Sequence, residues 1–218
     1  MSRREYQREL EELNKEILTM GSMVEEAVWL SVEALATKDM DLARKVAAND
    51  VAVDEIGLAI EGRCLNLLAL QQPLARDLRL VATAISIATD LERMGDHAVN
   101  VSEIVLRIGK TPLIKPLVDI PEMADSAQRM ISGCLDAFVR RDVDLARQTC
   151  RNDDAVDRTY QALFDELVEL TVHGRDERMS AQAVNLLFVA RFLERIADHA
   201  TYIGERVIYM VTGEREKY

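Results

Sequence analysis

The stretch Leu91-Glu-Arg-Met-Gly-Asp-His-Ala98 returns as Leu193-Glu-Arg-Ile-Ala-Asp-His-Ala200, with six of eight positions identical at an offset of 102 residues. The match extends backward along the chain: Asp41-Leu-Ala-Arg44 returns as Asp144-Leu-Ala-Arg147 at an offset of 103. Asn49-Asp50 and Ala52-Val-Asp54 return in the same way as Asn152-Asp153 and Ala155-Val-Asp157. Any two helices can share an amphipathic pattern by chance. Identical charged residues at matched positions on two consecutive segments point instead to an internal duplication.

Around the first of these stretches, Leu80, Ala84, Ile87, Leu91, Met94, Ala98, Val101, Val105 and Ile108 recur in steps of three and four. That spacing is the seam of a helix in a bundle. The breakers divide the remainder into long helical pieces. The spacing predicts a first helix over residues 4–36, ending near Thr37-Lys-Asp-Met, where Asp39 or Asp41 can accept a hydrogen bond from a free N–H of the next helix. A second helix is expected to reach Gln71, where Pro73 forbids continuation, and a third runs over 75–108 with Gly109 as its stop. Three of the four prolines fall within 109–121, which reads as a linker. Beyond it we expect helices over 122–139 and 142–172, a join near His173-Gly-Arg, and a last helix to Val211. The expected fold is all-α: two tandem three-helix bundles related by duplication, six long helices in all. The first repeat spans residues 1–109, the linker 110–121 and the second repeat 122–218.

Composition agrees with that class and narrows the function. Of 218 residues 49% are hydrophobic and only 5% aromatic, a profile that favours helix over sheet. With 27 Lys and Arg against 38 Asp and Glu, the net charge of −11 leaves no basic footprint for nucleic acid or anionic lipid. No apolar run approaches the roughly 18 residues that span a bilayer, and the amino end lacks a signal-peptide core, so a cytoplasmic protein is expected. Cys64, Cys134 and Cys150 form no C-x-x-C pair and read as small buried hydrophobes. Trp29, Met20 and Met23 read as core of the first helix. The Arg76-Asp-Leu-Arg79 run reads as a surface or cap cluster.

The repeated charges are mostly acidic. Each copy carries two aspartates four residues apart on its second helix, Asp50 with Asp54 and Asp153 with Asp157. Each carries two more carboxylates on its third, Glu92 with Asp96 and Glu194 with Asp198. A spacing of four puts each pair on one side of its helix, where like charges repel by a few tenths of a kcal/mol. A cation would offset that cost, and hard oxygen donors admit Mg²⁺, Mn²⁺, iron or Zn²⁺, with bridging carboxylates allowing more than one ion. Spacing alone supports equally well a solvated acidic face neutralised by Arg93 and Arg195. His97 and His199 follow the matched aspartates and read first as helix-surface residues, second as imidazole donors to a metal. His173 has no counterpart. Glu103 and Glu205 match and extend the acidic strip, whereas Asn100 is replaced by Tyr202.

The two Leu-Glu-Arg-x-x-Asp-His motifs, the Asn-Asp-x-x-Val-Asp of each copy, and Ala69-Leu-Gln-Gln-Pro-Leu-Ala-Arg-Asp-Leu-Arg79 together resemble the PhoU family over essentially the whole chain. These are accessory proteins of the bacterial phosphate-specific ABC transport system. The resemblance implies a cytoplasmic, often dimeric negative regulator that links the ATPase side of the transporter to a phosphate-sensing histidine kinase. Such a protein would meet the membrane only through its partners. The resemblance also implies multinuclear clusters of divalent or trivalent metal, iron or zinc first and manganese or magnesium next. The motif carries over onto Glu92, Asp96, Glu194 and Asp198, with Asp50, Asp54, Asp153 and Asp157 completing each site. Gly95 of the first motif is Ala197 in the second.

Two rivals have different chemistry. Di-iron oxidation in helical bundles uses Glu-x-x-His, and the third residue after Glu92 is Gly95, after Glu194 Ala197. A hydrolase with paired metals lacks an accompanying nucleophile, phosphate loop or acid/base pair. A metal-free scaffold, with the acidic strips as docking faces, is the third reading. A regulatory binding protein without turnover is preferred.

Overall fold

The structure, a computed structural model, describes residues 3–71, 73, 75–173 and 177–218. The expected joins at Gln72, Leu74 and 174–176 lie outside the described residues. Seven helices follow in order: α1 Arg3–Thr37, α2 Met40–Gln71, α3 Arg76–Ile108, α4 Asp119–Arg140, α5 Val143–Cys150, α6 Asp153–His173 and α7 Glu177–Thr212. No strand occurs among the described residues, and none of these helices is long and apolar enough to cross a membrane.

The duplication is visible in the turns. At the end of α1, Lys38 takes a left-handed conformation (φ 56°) and Asp39 N–H reaches back to Ala34 O at 3.0 Å. The Asp39 carboxylate then accepts from Asp41 N and Leu42 N, both at 2.9 Å, so of the two candidate caps it is Asp39 that starts α2. After α4 the same device recurs. Arg141 has φ 55°, Asp142 N–H bonds Ala137 O at 2.9 Å, and the Asp142 side chain caps Asp144 N and Leu145 N. A basic residue in the left-handed region followed by a capping aspartate therefore reverses the chain twice.

The fifth long helix departs from expectation. In place of one helix over 142–172, a turn at Arg151-Asn152 separates α5 from α6, while the matching part of α2 is continuous. The fourth helix starts earlier than expected, at Asp119, with Pro121 in its first turn, where a missing N–H costs nothing. The linker is shortened accordingly to 109–118. Gly109 closes α3 at φ 61°, with its N–H on Val105 O at 3.0 Å. The linker is held by Gln182, whose side chain accepts from Ile114 N and donates to Pro112 O at 3.1 Å.

All nine seam residues of α3 are buried. Between the repeats α3 runs antiparallel to α7, as Arg79 Nε to Met210 O (3.1 Å) and His199 Nδ1 to Asp90 Oδ1 (3.1 Å) define. Arg79 thus ends as a cap on α7, in line with the cluster reading of 76–79. α1 and α4 cross the same divide, with Gln128 Nε2 donating to Glu25 O at 2.9 Å. Met20 and the three cysteines are buried, and Met23 packs at the core's edge. Trp29 is a correction: its side chain is 51% exposed. The stripe of α1 that packs inward is Leu10, Leu13, Ile17, Met20, Val24, Val28, Val32 and Leu35, and Trp29, one residue out of phase with it, turns outward.

Candidate functional site

In the first copy α2 presents Asp50 and Asp54 toward Glu92 and Asp96 of α3. The approach is close because residue 95 is glycine: a Cβ there would lie 3.0 Å from Asp50 Oδ1. Asp50 is half-buried, and its carboxyl is pushed up from 3.8 to about 6 by loss of water, then by the charges of Asp54, Asp96 and Glu92. Glu92 and Asp54 stand exposed. Arg93 lies 3.9 Å from Asp96.

The second copy holds the same four residue types in a drier and more compensated setting. Asp153 opens α6 just after the α5–α6 turn, and its carboxyl is pushed up to about 7 by burial, then by Asp157 and Asp198. Asp157 and Glu194 are also raised, burial being the first cause of each. Glu194 is 8% exposed. Asp153 Oδ1 and Glu194 Oε2 are buried without a hydrogen-bond partner. Two arginines serve this group: Arg191 pairs with Glu194, and Arg195 lies 3.1 Å from Asp198. Where α7 carries Arg191, α3 carries Thr89, whose hydroxyl bonds its own helix at Ile85 O. The two groups are therefore related by sequence but differ in charge and hydration. Among the described residues no three His, Cys, Asp or Glu side chains form a ready-made metal cage. As the structure stands, each quartet is a set of mutually repelling oxygens facing one another across two helices.

The histidines correct the surface reading. His97 and His199 sit on the α3–α7 contact, with ring centroids 5.8 Å apart. His97 stacks on Phe192 at 5.6 Å, and burial followed by the neighbouring His199 and arginines lowers it to about 4, so it is neutral at physiological pH. His199 bonds Asp90, a nearly fully buried carboxylate whose other oxygen is 3.0 Å from Arg206 Nε. Positions 90 and 192 correspond at the offset of 102, so each histidine meets the same place in the other copy, one finding an aspartate and the other a phenyl ring. Asp90 and Arg206 were not singled out from sequence. A signal was available: Asp90 lies one turn from Ile87 and Met94 on the apolar seam, where a carboxylate needs a buried partner.

The family model described as PhoU domain matches twice, over residues 17–105 and 120–207. A phosphate-specific transport system accessory protein PhoU homolog of Clostridium acetobutylicum is 38% identical over 216 residues, covering 99% of this chain and 98% of the relative. The homolog of Aquifex aeolicus is 37% identical over 211 residues, covering 97% and 95%. Among solved structures, PhoU from Pseudomonas aeruginosa superposes with a TM-score of 0.90 at 35% identity, covering 96% of this chain and all of that one. The phosphate transport system regulatory protein PhoU from Streptococcus pneumoniae gives 0.90 at 31% identity and 98% coverage.

Proposed function

This chain belongs to the PhoU family, and we propose that it is an accessory protein of phosphate-specific transport acting as a cytoplasmic negative regulator, without catalytic turnover of its own. Its role is to couple a phosphate ABC transporter, met on the ATPase side, to a phosphate-sensing histidine kinase. The observation that carries this reading is the match, over nearly the whole length of both partners, to relatives that bear that name. Coupling of this kind requires that the protein bind one state of the transporter or kinase better than the other. Two units, residues 1–109 and 122–218, and a homodimer complete the proposal.

The acidic quartets suit a cation. Asp50, Asp54, Glu92 and Asp96 form one oxygen set and Asp153, Asp157, Glu194 and Asp198 the other. Asp153 Oδ1 and Glu194 Oε2 are buried without a hydrogen-bond partner, the latter with Arg195 Nε 3.9 Å away, and positive charge suits both. Bound metal, iron or zinc first and manganese or magnesium next, supplies that charge. The chain's own residues set the access: Gly95 lets Asp50 approach α3, and Arg191 and Arg195 compete with metal in the second copy. The same two arginines favour a second reading for that copy alone, a self-neutralised acidic docking face without metal.

The test has two parts. In a strain lacking its own family member, supplying this chain should restore repression of phosphate-starvation genes in high phosphate; continued expression counts against the regulatory reading. Elemental analysis of the purified chain, wild type against Glu92, Asp96, Glu194 and Asp198 all changed to Ala, addresses the metal. Ions lost in the variant support the quartets as ligands, and a wild type that stays metal-free after metal is supplied leaves the docking face.

A further inference from the structure

Next to the α3–α7 contact lies a cavity of about 410 Å³. Thr83 and Ser86 of α3 form its floor, Tyr202 and Tyr209 of α7 its wall, and Arg215 and Lys217 of the following segment its roof. That segment, residues 213–218, is strapped across the groove. Gly213 turns it at φ 82° with its N–H on Tyr209 O at 2.8 Å, Arg147 binds Glu216 (Nε to Oε2, 3.0 Å), and Tyr218 N donates to Glu205 Oε1 at 2.9 Å.

The duplication supplies an internal control for this space. At the matching positions of the other copy, Ser86 becomes Phe188, Asp90 becomes Phe192, Tyr202 becomes Asn100 and Arg206 becomes Ile104. There Phe188 stacks on Phe192 at 6.4 Å, and Phe192 on His97. One side of the pseudo-symmetric contact is thus covered by a stack of the chain's own rings, the outermost, Phe188, 48% exposed. On the other, a hydroxymethyl group faces two tyrosines across open space.

The charges in this space are not balanced. Glu216 is paired with Arg147 and Arg206 is held on Asp90, while Glu205, which also lines the cavity, accepts from Tyr218 N and keeps its negative charge. Arg215 lies over the Tyr209 ring at 5.5 Å, and among the described residues neither it nor Lys217 is ion-paired with a carboxylate. In a chain of net charge −11, two cations without an ion-pair partner outnumber the one unpaired carboxylate among the described residues of this space, Glu205, and with the aromatic wall they fit a flat ring that carries a phosphate. Tyrosine faces take a base irrespective of its identity. A guanidinium and an ammonium take phosphate oxygens. Hydroxyls of Thr83 and Ser86 can bond the polar edge of a base, and the volume lies in the range of small-molecule sites.

We propose that the cavity between α3, α7 and the 213–218 strap binds a nucleoside phosphate, its base in the place that Phe188 occupies in the other copy. The experiment is isothermal titration of the full chain with AMP, GMP, CMP, UMP and ATP, and with adenosine and inorganic phosphate as partial probes. It is run with and without chelator, so that nucleotide carried by a metal ion on the acidic quartets is recognised. Nucleotide binding that persists in chelator, falls at least tenfold in Arg215→Ala/Lys217→Ala and vanishes in Ser86→Phe is the expected result. Ser86→Phe installs the ring the other copy tolerates at that position, and the strap pair, both exposed, tests the site with no change to the bundle core, the contact of Arg215 with the Tyr209 ring being the one packing contact removed. Three results overturn the proposal: no nucleotide binding in chelator, binding unchanged in the variants, or inorganic phosphate binding as tightly as the nucleotides.

Discussion

Replacing Asp153 by Asn should stabilise the metal-free protein at mildly alkaline pH and reduce the dependence of its stability on pH. The folded carboxyl titrates near 7 against an ordinary 3.8, so between those values the folded chain holds a proton that the unfolded chain has released. Stability therefore falls as pH rises through that window and is lowest above about pH 7. A rise of that size corresponds at most to about 4 kcal/mol against the ionised form. Asp153 is only half-buried, so solvent screening brings the figure to about 1–2 kcal/mol. For a chain of this length that is about 2–8 °C in Tm. Thermal unfolding followed by far-UV circular dichroism, in chelator, at about pH 5 and about pH 8, reads it directly. Asp153→Asn should melt higher than wild type at the upper pH and nearly with it at the lower. Some dependence should survive in the variant, because Asp50 titrates near 6 by the same causes. A variant that melts lower at the upper pH, or wild type and variant with equal slopes, refutes the account of the second quartet.

Three further outcomes follow from the packing and the quartets. A Cβ at Gly204 would lie 2.3 Å from Cys150 Sγ and 3.2 Å from Cys134 Sγ, so Gly204→Ala should cost about 1–3 kcal/mol in chemical denaturation, and Cys150→Ala in the same background should recover part of it. Asp39→Ala and Asp142→Ala each remove a cap that accepts two backbone N–H groups; each should lower stability by about 1 kcal/mol, read by the same method, the two adding independently. Saturating Mn²⁺ or Zn²⁺ should raise the Tm of wild type at about pH 8 and raise that of the variant lacking Glu92, Asp96, Glu194 and Asp198 much less, since a ligand stabilises only the state that binds it.

The helices were legible because period and breakers agree: Leu80 to Ile108 gives a continuous seam, and every member of it is buried. The α5–α6 break was not, because no proline or glycine marks Arg151-Asn152. The turn is held by i→i+3 backbone bonds, Asn152 N to Thr149 O and Ala155 N to Asn152 O, which leave no trace in composition. Trp29 was misplaced because hydrophobicity was read without phase; one residue is a rotation of about 100° on a helix. The quartets' pairing across two helices was legible from repetition of charge. Their inequality was not, since burial of Glu194 and the reach of Arg191 depend on packing between elements.

That inequality carries the larger argument about this molecule. A duplicated bundle begins with two equivalent acidic groups and two equivalent sides of the α3–α7 contact, and nothing in helix packing requires them to diverge. Here both have diverged in kind. One quartet is wetter, with Arg93 beside it; the other is drier and held by Arg191 and Arg195. One histidine meets Phe192, the other a buried Asp90 tied to Arg206. A buried aspartate with one histidine and one arginine is costly to assemble and little better than an apolar contact for stability. The phenyl ring at the equivalent position shows that the apolar solution fits this fold. The charged version is then best understood as serving a difference between the two ends of the molecule. On the proposed role, in which the chain couples two unlike partners, such a difference would let each end discriminate its own, and a symmetric duplicate would lack it.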